Sequence, residues 1–185
     1  MRIAFVLLAL AVTACSMPAP PKYGTLPETG AALRLVRAGG VRVGAINGPA
    51  DFSSWCRGGP LIGQQITPPD WNFSFEGYVQ NALAEELRAA GKYDDAAKVT
   101  LSGAVEKLYF STTTHGMSGG VWDIALRVTS SNGKSVLVSE HYEFDTSSMG
   151  VLACSQAKDA YHPAVQNLIY KLVKSKNFKS LVASK

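Results

Sequence analysis

Three segments in the second half of the chain alternate apolar and polar residues, and this alternation constrains the fold most strongly. Such a period of two is typical of half-buried β-strands. Between the second and third segments, Asn132-Gly133 is a residue pair that favours a tight hairpin turn. The chain therefore predicts an antiparallel sheet with one buried face. The apolar positions are Val99, Leu101, Gly103 and Val105; then Trp122, Ile124, Leu126 and Val128; then Val136, Val138, Tyr142 and Phe144.

Two amphipathic helices flank these strands, each with its apolar residues at helical spacing. Ser74 can cap the start of the first helix and Gly91 can end it. We expect the second helix to begin near Pro163 or to be kinked there. The apolar stripes are Phe75, Tyr78, Val79, Ala82, Leu83, Leu87 and Ala90 in the first helix, and Tyr161, Ala164, Val165, Leu168, Ile169, Leu172 and Val173 in the second.

Two short β-like runs at residues 33–37 and 41–46 precede the first helix. The order of elements is then β-α-β-β-β-α. This order predicts an α+β fold, a two-layer sandwich in which two helices cover one face of a mainly antiparallel sheet. We expect one domain over residues 33–185.

The N-terminus has the layout of a secretory signal peptide. Arg2 supplies a positive charge, residues 3–12 form an apolar run too short to span a bilayer, and small residues precede Cys15. The sequence Val12-Thr13-Ala14-Cys15 resembles the lipobox of bacterial lipoproteins. That resemblance implies a signal peptide over residues 1–14 and a mature chain that begins at a lipidated Cys15. An ordinary secretory signal with a chance cysteine is the alternative.

The same resemblance implies a location. In diderm bacteria, lipoproteins with serine in the second mature position, here Ser16, usually travel to the outer membrane. We therefore expect lipid anchoring in the outer membrane with the domain facing the periplasm; exposure on the cell surface is an alternative. Residues 15–32 are Pro-rich, and we expect an extended tether that lifts the domain tens of ångströms from the lipid.

Cys56 and Cys154 remain once Cys15 is assigned to lipid, and a cysteine pair in an exported chain is best interpreted as a disulfide. Two separate buried thiols are the alternative. Both cysteines are predicted to lie in connections that run from a strand into a helix, and both connections can lie at one end of the sandwich. We expect that end to be the functional surface, since loops on a rigid scaffold often carry binding.

The connection at residues 47–72 is unusually long, which is typical of functional loops. Its aromatic residues Trp55 and Trp71, with Phe73 just beyond, form a candidate binding surface; covering an edge of the core is their other role. With 18 Lys+Arg against 14 Asp+Glu, the chain is too weakly basic to indicate nucleic-acid binding. The lysines near the C-terminus predict a solvated helix face, with anionic lipid headgroups or an acidic partner as alternative contacts.

Catalytic signals are weak. Residues 116–120 match the G-x-S-x-G pattern around Ser118, but a nucleophile elbow needs a strand-turn-helix bend, and this segment lies between two strands. His115, His141 and His162 have no metal-ligand spacing. We therefore predict a non-enzymatic protein with no catalytic residue, metal or cofactor. A lipid-anchored serine hydrolase that uses Ser118 is the competing hypothesis.

The lipobox, the Pro-rich segment, the helix at residues 78–87, the strand at residues 99–105 and the hairpin at residues 122–142 together resemble small envelope lipoproteins of the YajG type and the auxiliary lipoproteins of ABC-type envelope transport systems. The resemblance implies an accessory module that binds an envelope protein or lipid. Activation of a cell-wall synthase is a variant of this function, and a surface adhesion lipoprotein is a further alternative.

Overall fold

The structure is a computed structural model that describes residue 19 and residues 21–57, 63–114 and 119–183. The predicted signal peptide, Cys15, His115 and Ser118 lie outside these residues. The elements follow one another as α1 (Pro27–Arg34), β1 (Val41–Asn47), β2 (Trp55–Arg57), β3 (Gly63–Gln65), α2 (Phe75–Ala89), β4 (Val99–Ser111), β5 (Gly120–Ser130), β6 (Ser135–Phe144), α3 (Gly150–Lys174) and α4 (Phe178–Leu181).

The main sheet has the strand order β1-β4-β5-β6. β4, β5 and β6 form an antiparallel meander, and β1 pairs with β4 in parallel. The expected α+β sandwich is confirmed. The predicted hairpin between β5 and β6 turns at Gly133, whose φ of +89° suits a residue without a side chain.

The core lies between the sheet and the two long helices, α2 and α3. Trp122 is fully buried; its indole N–H donates to the Ala157 carbonyl of α3 at 2.7 Å, and its ring stacks on Phe110 at 4.8 Å. Burying a large apolar side chain contributes about 1.5–3 kcal/mol. The other inward-facing residues of β5 are equally buried: Ile124, Leu126 and Val128. Period-two alternation thus positions one face of the sheet against the helices.

The connections after β1, β4 and β6 all leave the same end of the sheet, because these three strands run in the same direction. We call this the loop end. Among the described residues it comprises 48–57, 63–74, 112–114, 119 and 145–149, and helices α2 and α3 both begin there.

The prediction of a strand at residues 33–37 is wrong. Residues Pro27–Arg34 form α1, with proline in the first turn beside Glu28 and Arg34 in the last turn. Proline at a helix start and acidic residues near it favour a helix over a strand. Leu33 is buried because α1 packs on α2 and α3.

The prediction of an extended tether as far as residue 32 is also wrong, since residues 21–34 form a strap that packs on the domain. Hydrogen bonds between the strap and helices α2 and α3 account for this packing. The buried carboxylate of Glu86 accepts hydrogen bonds from the Tyr23 hydroxyl at 3.0 Å and from the Leu26 N–H at 2.7 Å, and Gln166 donates to the Gly24 carbonyl. Burial raises the pKa of Glu86, while these two hydrogen bonds oppose the rise.

The final helix begins earlier than predicted. α3 starts at Gly150, thirteen residues before Pro163, which is accommodated inside the helix. A proline inside a helix removes one backbone hydrogen bond and crowds the preceding turn, yet α3 continues through Pro163 and buries Ala164, Val165, Leu168 and Ile169 directly after it. As a result, Cys154 lies within α3 and Cys56 within β2, rather than in the connections.

Candidate functional site

The structure contains the disulfide between Cys56 and Cys154, which lie 98 residues apart in sequence. It joins β2 to the first turns of α3. β2 and β3 form a hairpin with only three residues in each strand. Such a short two-stranded hairpin is marginally stable in water. The disulfide therefore fixes the hairpin, and the segment that leads into it, at the loop end.

A groove with a volume of about 620 Å³ lies between this segment and β4. Its wall on the loop side is formed by Asp51, Phe52, Ser53 and Trp55. Its floor and opposite wall are formed by residues 106–110 of β4 and by Asp123 of β5. Because five consecutive residues of β4 line it, the groove follows the backbone of the strand and not one side chain.

The groove coincides with an open part of the sheet. β1 pairs with β4 only as far as Ala104, whereas β4 continues to Ser111. Among the described residues, the segment of β4 at residues 105–111 therefore has a ladder partner, β5, on one side only. Unpaired N–H and C=O groups along such an edge are a template for another extended chain.

A β-bulge between Val105 and Lys107 interrupts the pairing of β4 with β5 at the start of this segment. Bulges bend an edge and redirect side chains, and they often lie next to functional sites. Here Glu106, which pairs with Arg127, and Lys107, which lies 3.0 Å from Asp123, are both exposed. The groove is thus bordered by paired charges on one side and by aromatic rings on the other.

The paired charges continue across the open face of the sheet. Asp123 also bonds His141 at 2.6 Å, and His141 lies 3.4 Å from Glu143. Burial alone would raise the pKa of the Asp123 carboxyl. The hydrogen bonds from His141 and Lys107 outweigh burial and keep that pKa below its usual value. The hydrogen bond with Asp123, and then that with Glu143, raises the pKa of His141. These side chains pair with one another on the exposed face of the sheet, where such pairs contribute little to stability.

The structure does not bring the three predicted binding residues together. Trp55 lines the groove. Trp71 lies away from it, with the Lys158 ammonium 5.7 Å above its ring. Phe73 lines a separate cavity of about 310 Å³ with Lys22 and Asp70.

Sequence reasoning missed Tyr109, an exposed aromatic residue on the floor of the groove. The period-two alternation of Val99, Leu101 and Val105 assigns Tyr109 to the buried face, and only the bulge between Val105 and Lys107 moves it to the exposed face. No pattern in the sequence indicates that bulge.

The histidines that the structure describes are engaged in structural contacts. His162 is packed against Tyr23, and its Nδ1 lies 2.7 Å from the Tyr78 hydroxyl; burial lowers the pKa of His162. Within the described part of the chain, no group of histidine, cysteine or carboxylate side chains is arranged to hold a metal ion. In the same residues, no helix is both long enough and apolar enough to cross a bilayer.

No family model and no curated protein matches the chain. A solved structure from Xanthomonas campestris, assigned to the family model DUF330, is similar with a TM-score of 0.53 and 13% identity, over 85% of this chain and 95% of that chain. A PelC variant from Paraburkholderia phytofirmans, solved as a dodecamer, gives a TM-score of 0.38 and 20% identity over 81% of this chain and 92% of that chain.

The TM-score with PelC is too low to support an argument, and the resemblance to YajG-type lipoproteins stays a prediction. At 13% identity, the first comparison concerns the fold alone: this chain shares its fold with the DUF330 protein of Xanthomonas campestris.

Proposed function

We propose that the protein is a lipid-anchored accessory module of the bacterial envelope that binds an extended segment of a partner protein along the open part of β4. The observation that carries this proposal is the groove of about 620 Å³ beside strand residues that have no ladder partner on that side in the described part of the chain. The anchor is the lipid on Cys15, which the lipobox predicts, and the compartment is the periplasmic side of the outer membrane.

The dimensions of the groove suit a strand. Seven residues of β4, at about 3.3 Å each, give an edge of about 23 Å. Main-chain hydrogen bonds along such an edge supply affinity, and pockets for alternate side chains supply selectivity. Phe52, Trp55 and Tyr109 offer the apolar walls for those side chains, and Asp51 offers a carboxylate at the border.

The same edge is protected against indiscriminate pairing. Edge strands are commonly guarded by bulges and charged side chains, which prevent association with any other open edge. The bulge at Val105 and the exposed Lys107 fulfil this role here. A partner strand must therefore match the bend of the groove and its charges, as an accessory module with a defined partner requires.

Site-specific photocrosslinking in the native envelope tests this proposal. A benzophenone amino acid replaces Tyr109, which is 51% exposed, or Leu137, which is 46% exposed on β6 and serves as the matched control. We expect a discrete protein adduct from position 109 and none from position 137. Since aromatic residues at the centre of an interface commonly contribute at least 2 kcal/mol, Trp55→Asp is expected to reduce the adduct about tenfold or more.

Two results would contradict the proposal. The first is equal adduct formation from the two positions, which would indicate random collisions with neighbouring proteins. The second is an adduct at position 109 that Trp55→Asp leaves unchanged, because the wall of the groove would then play no part in binding.

A further inference from the structure

The first turn of α3 carries a cluster of exposed apolar side chains. Met149, Val151 and Leu152 are 66%, 52% and 49% exposed. This turn also projects beyond the neighbouring helix, because the Tyr161 hydroxyl donates to the carbonyl of Phe75, the first residue of α2, at 2.9 Å. Eleven residues of α3 precede Tyr161, which corresponds to about 16 Å of helix. The first turn of α3 therefore forms an exposed apolar tip of the loop end that lies beyond the start of α2.

Trp71 and Lys158 lie behind this tip, where the ammonium group lies over the indole ring. Lys158 is six residues from Leu152 along α3, or about 9 Å. An apolar element that lies in a membrane interface is buried about 5–10 Å deep. Tryptophan and lysine are favoured closer to the water, at the level of the lipid headgroups. The spacing between the tip and the Trp71–Lys158 pair matches these two depths.

The strap shows from which end the preceding chain reaches the domain. Tyr23 packs against Tyr78 and His162, whereas Leu33 packs near Leu87 and Phe178 at the opposite end of the helices. The strap thus runs away from the loop end. Lys22, at the start of the strap, lines a cavity that extends from Asp70 and Phe73 of the loop end along Asn81 and Glu85 of α2.

The length of the chain before the strap limits where the domain can lie. Lys22 lies seven positions after Cys15, and a chain extends by at most about 3.6 Å per residue, so a lipid on Cys15 lies within about 25 Å of Lys22. Lys22 itself lies beside the loop end, which carries the apolar tip. The opposite end of α3 carries Lys171 and Lys174 instead, and Lys176 follows just after the helix.

We infer that the loop end rests on the lipid surface to which the protein is anchored, with Met149, Val151 and Leu152 inserted at the boundary of the acyl chains and Trp71 with Lys158 among the headgroups. This inference rests on the proposed lipid anchor. It gives the domain a fixed orientation, in which the apolar tip meets the bilayer and the lysine-rich end of α3 points away from it. In this orientation a short connection from Cys15 to the packed strap takes the place of the extended tether that the sequence predicted.

The test uses full-length acylated protein in phosphatidylcholine vesicles whose acyl chains are brominated, since bromine quenches tryptophan only at close range. Trp55→Phe leaves Trp71 as the exposed reporter beside the fully buried Trp122. We expect the emission of Trp71 to fall to about half or less. A second variant, Trp55→Phe with Trp71→Phe and Lys176→Trp, places the reporter at the far end of α3, where we expect no quenching.

A third variant combines Trp55→Phe with Met149→Ser, Val151→Ser and Leu152→Ser on the solvent side of α3, where stability changes least. We expect it to float with the vesicles but to lose most of the Trp71 quenching. Quenching of the reporter at position 176 with Trp71 unquenched would overturn the inferred orientation alone. A chain that carries no acyl group by intact mass and does not float would overturn the anchor, and this inference with it.

Discussion

Reducing the disulfide between Cys56 and Cys154 is expected to destabilise the domain by about 4–5 kcal/mol, because the bond closes a loop of almost one hundred residues in the unfolded chain. For a domain of this size, that loss lowers the melting temperature by roughly 8–20 °C. Thermal unfolding followed by circular dichroism, with and without a reductant, measures the shift. The hairpin of β2 and β3 should become accessible to protease first, since the disulfide is its covalent link to α3.

The matched control is the double variant Cys56→Ala with Cys154→Ala. Its melting temperature is expected to be low from the start and to be insensitive to reductant. If reductant lowered the melting temperatures of wild type and variant equally, the disulfide would not be the source of the stability. Crosslinking from position 109 is also expected to decrease on reduction, because the disulfide holds the loop-side wall of the groove.

Glu86→Ala is expected to destabilise the domain by roughly 3 kcal/mol and to release the strap. The substitution removes the acceptor of two buried hydrogen bonds, those from the Tyr23 hydroxyl and the Leu26 N–H. Leaving a buried donor without a partner costs about 1–3 kcal/mol. Chemical denaturation measures the loss, and faster amide exchange at residues 23–34 reports the release of the strap. Unchanged exchange in that segment would contradict this role of Glu86.

Glu86→Gln is the conservative control, because its amide oxygen can accept the same two hydrogen bonds. Since the folded-state pKa of Glu86 is raised, the native chain retains a proton that the unfolded chain releases, and the contribution of Glu86 to stability falls as pH rises through that window. We expect wild type and Glu86→Gln to be equally stable below the usual pKa of glutamate. Above the raised pKa, the variant should be the more stable of the two.

The sheet could be predicted from the sequence because its determinants are local. Residues Val99, Trp122 and Val138 belong to period-two patterns that encode both the strand and its buried face. The turn at Asn132-Gly133 fixed the order of the last two strands for the same reason. The disulfide could be predicted from the number of cysteines and from the expected export of the chain, without knowledge of the fold.

The strap could not be predicted because its determinants are distant in sequence. Prolines suggested an extended segment, whereas Tyr23 is held by Glu86, which lies 63 residues away. A buried carboxylate on the apolar side of α2 was a signal, because such a group needs a partner from elsewhere in the chain. The sequence pattern could not indicate that this partner was the segment assigned to the tether.

The groove could not be predicted from the sequence for a similar reason. Its open edge exists because β1 ends at Asn47 while its partner β4 continues to Ser111, a mismatch that appears only when the two strands are paired. The aromatic residues Trp55 and Trp71 were grouped because they share one loop, yet the hairpin and the disulfide place them at different surfaces. The roles that we propose for them accordingly differ: partner binding for Trp55 and contact with lipid for Trp71.

We propose above all that a lipid on Cys15 holds this domain at a membrane of the bacterial envelope. Intact-mass analysis of the protein extracted from native membranes, beside a Cys15→Ala variant, is the decisive measurement. We expect a chain that begins at Cys15 and carries acyl groups, and a variant that leaves the membrane fraction. A wild-type mass without acyl groups, or a variant that fractionates like wild type, would contradict it.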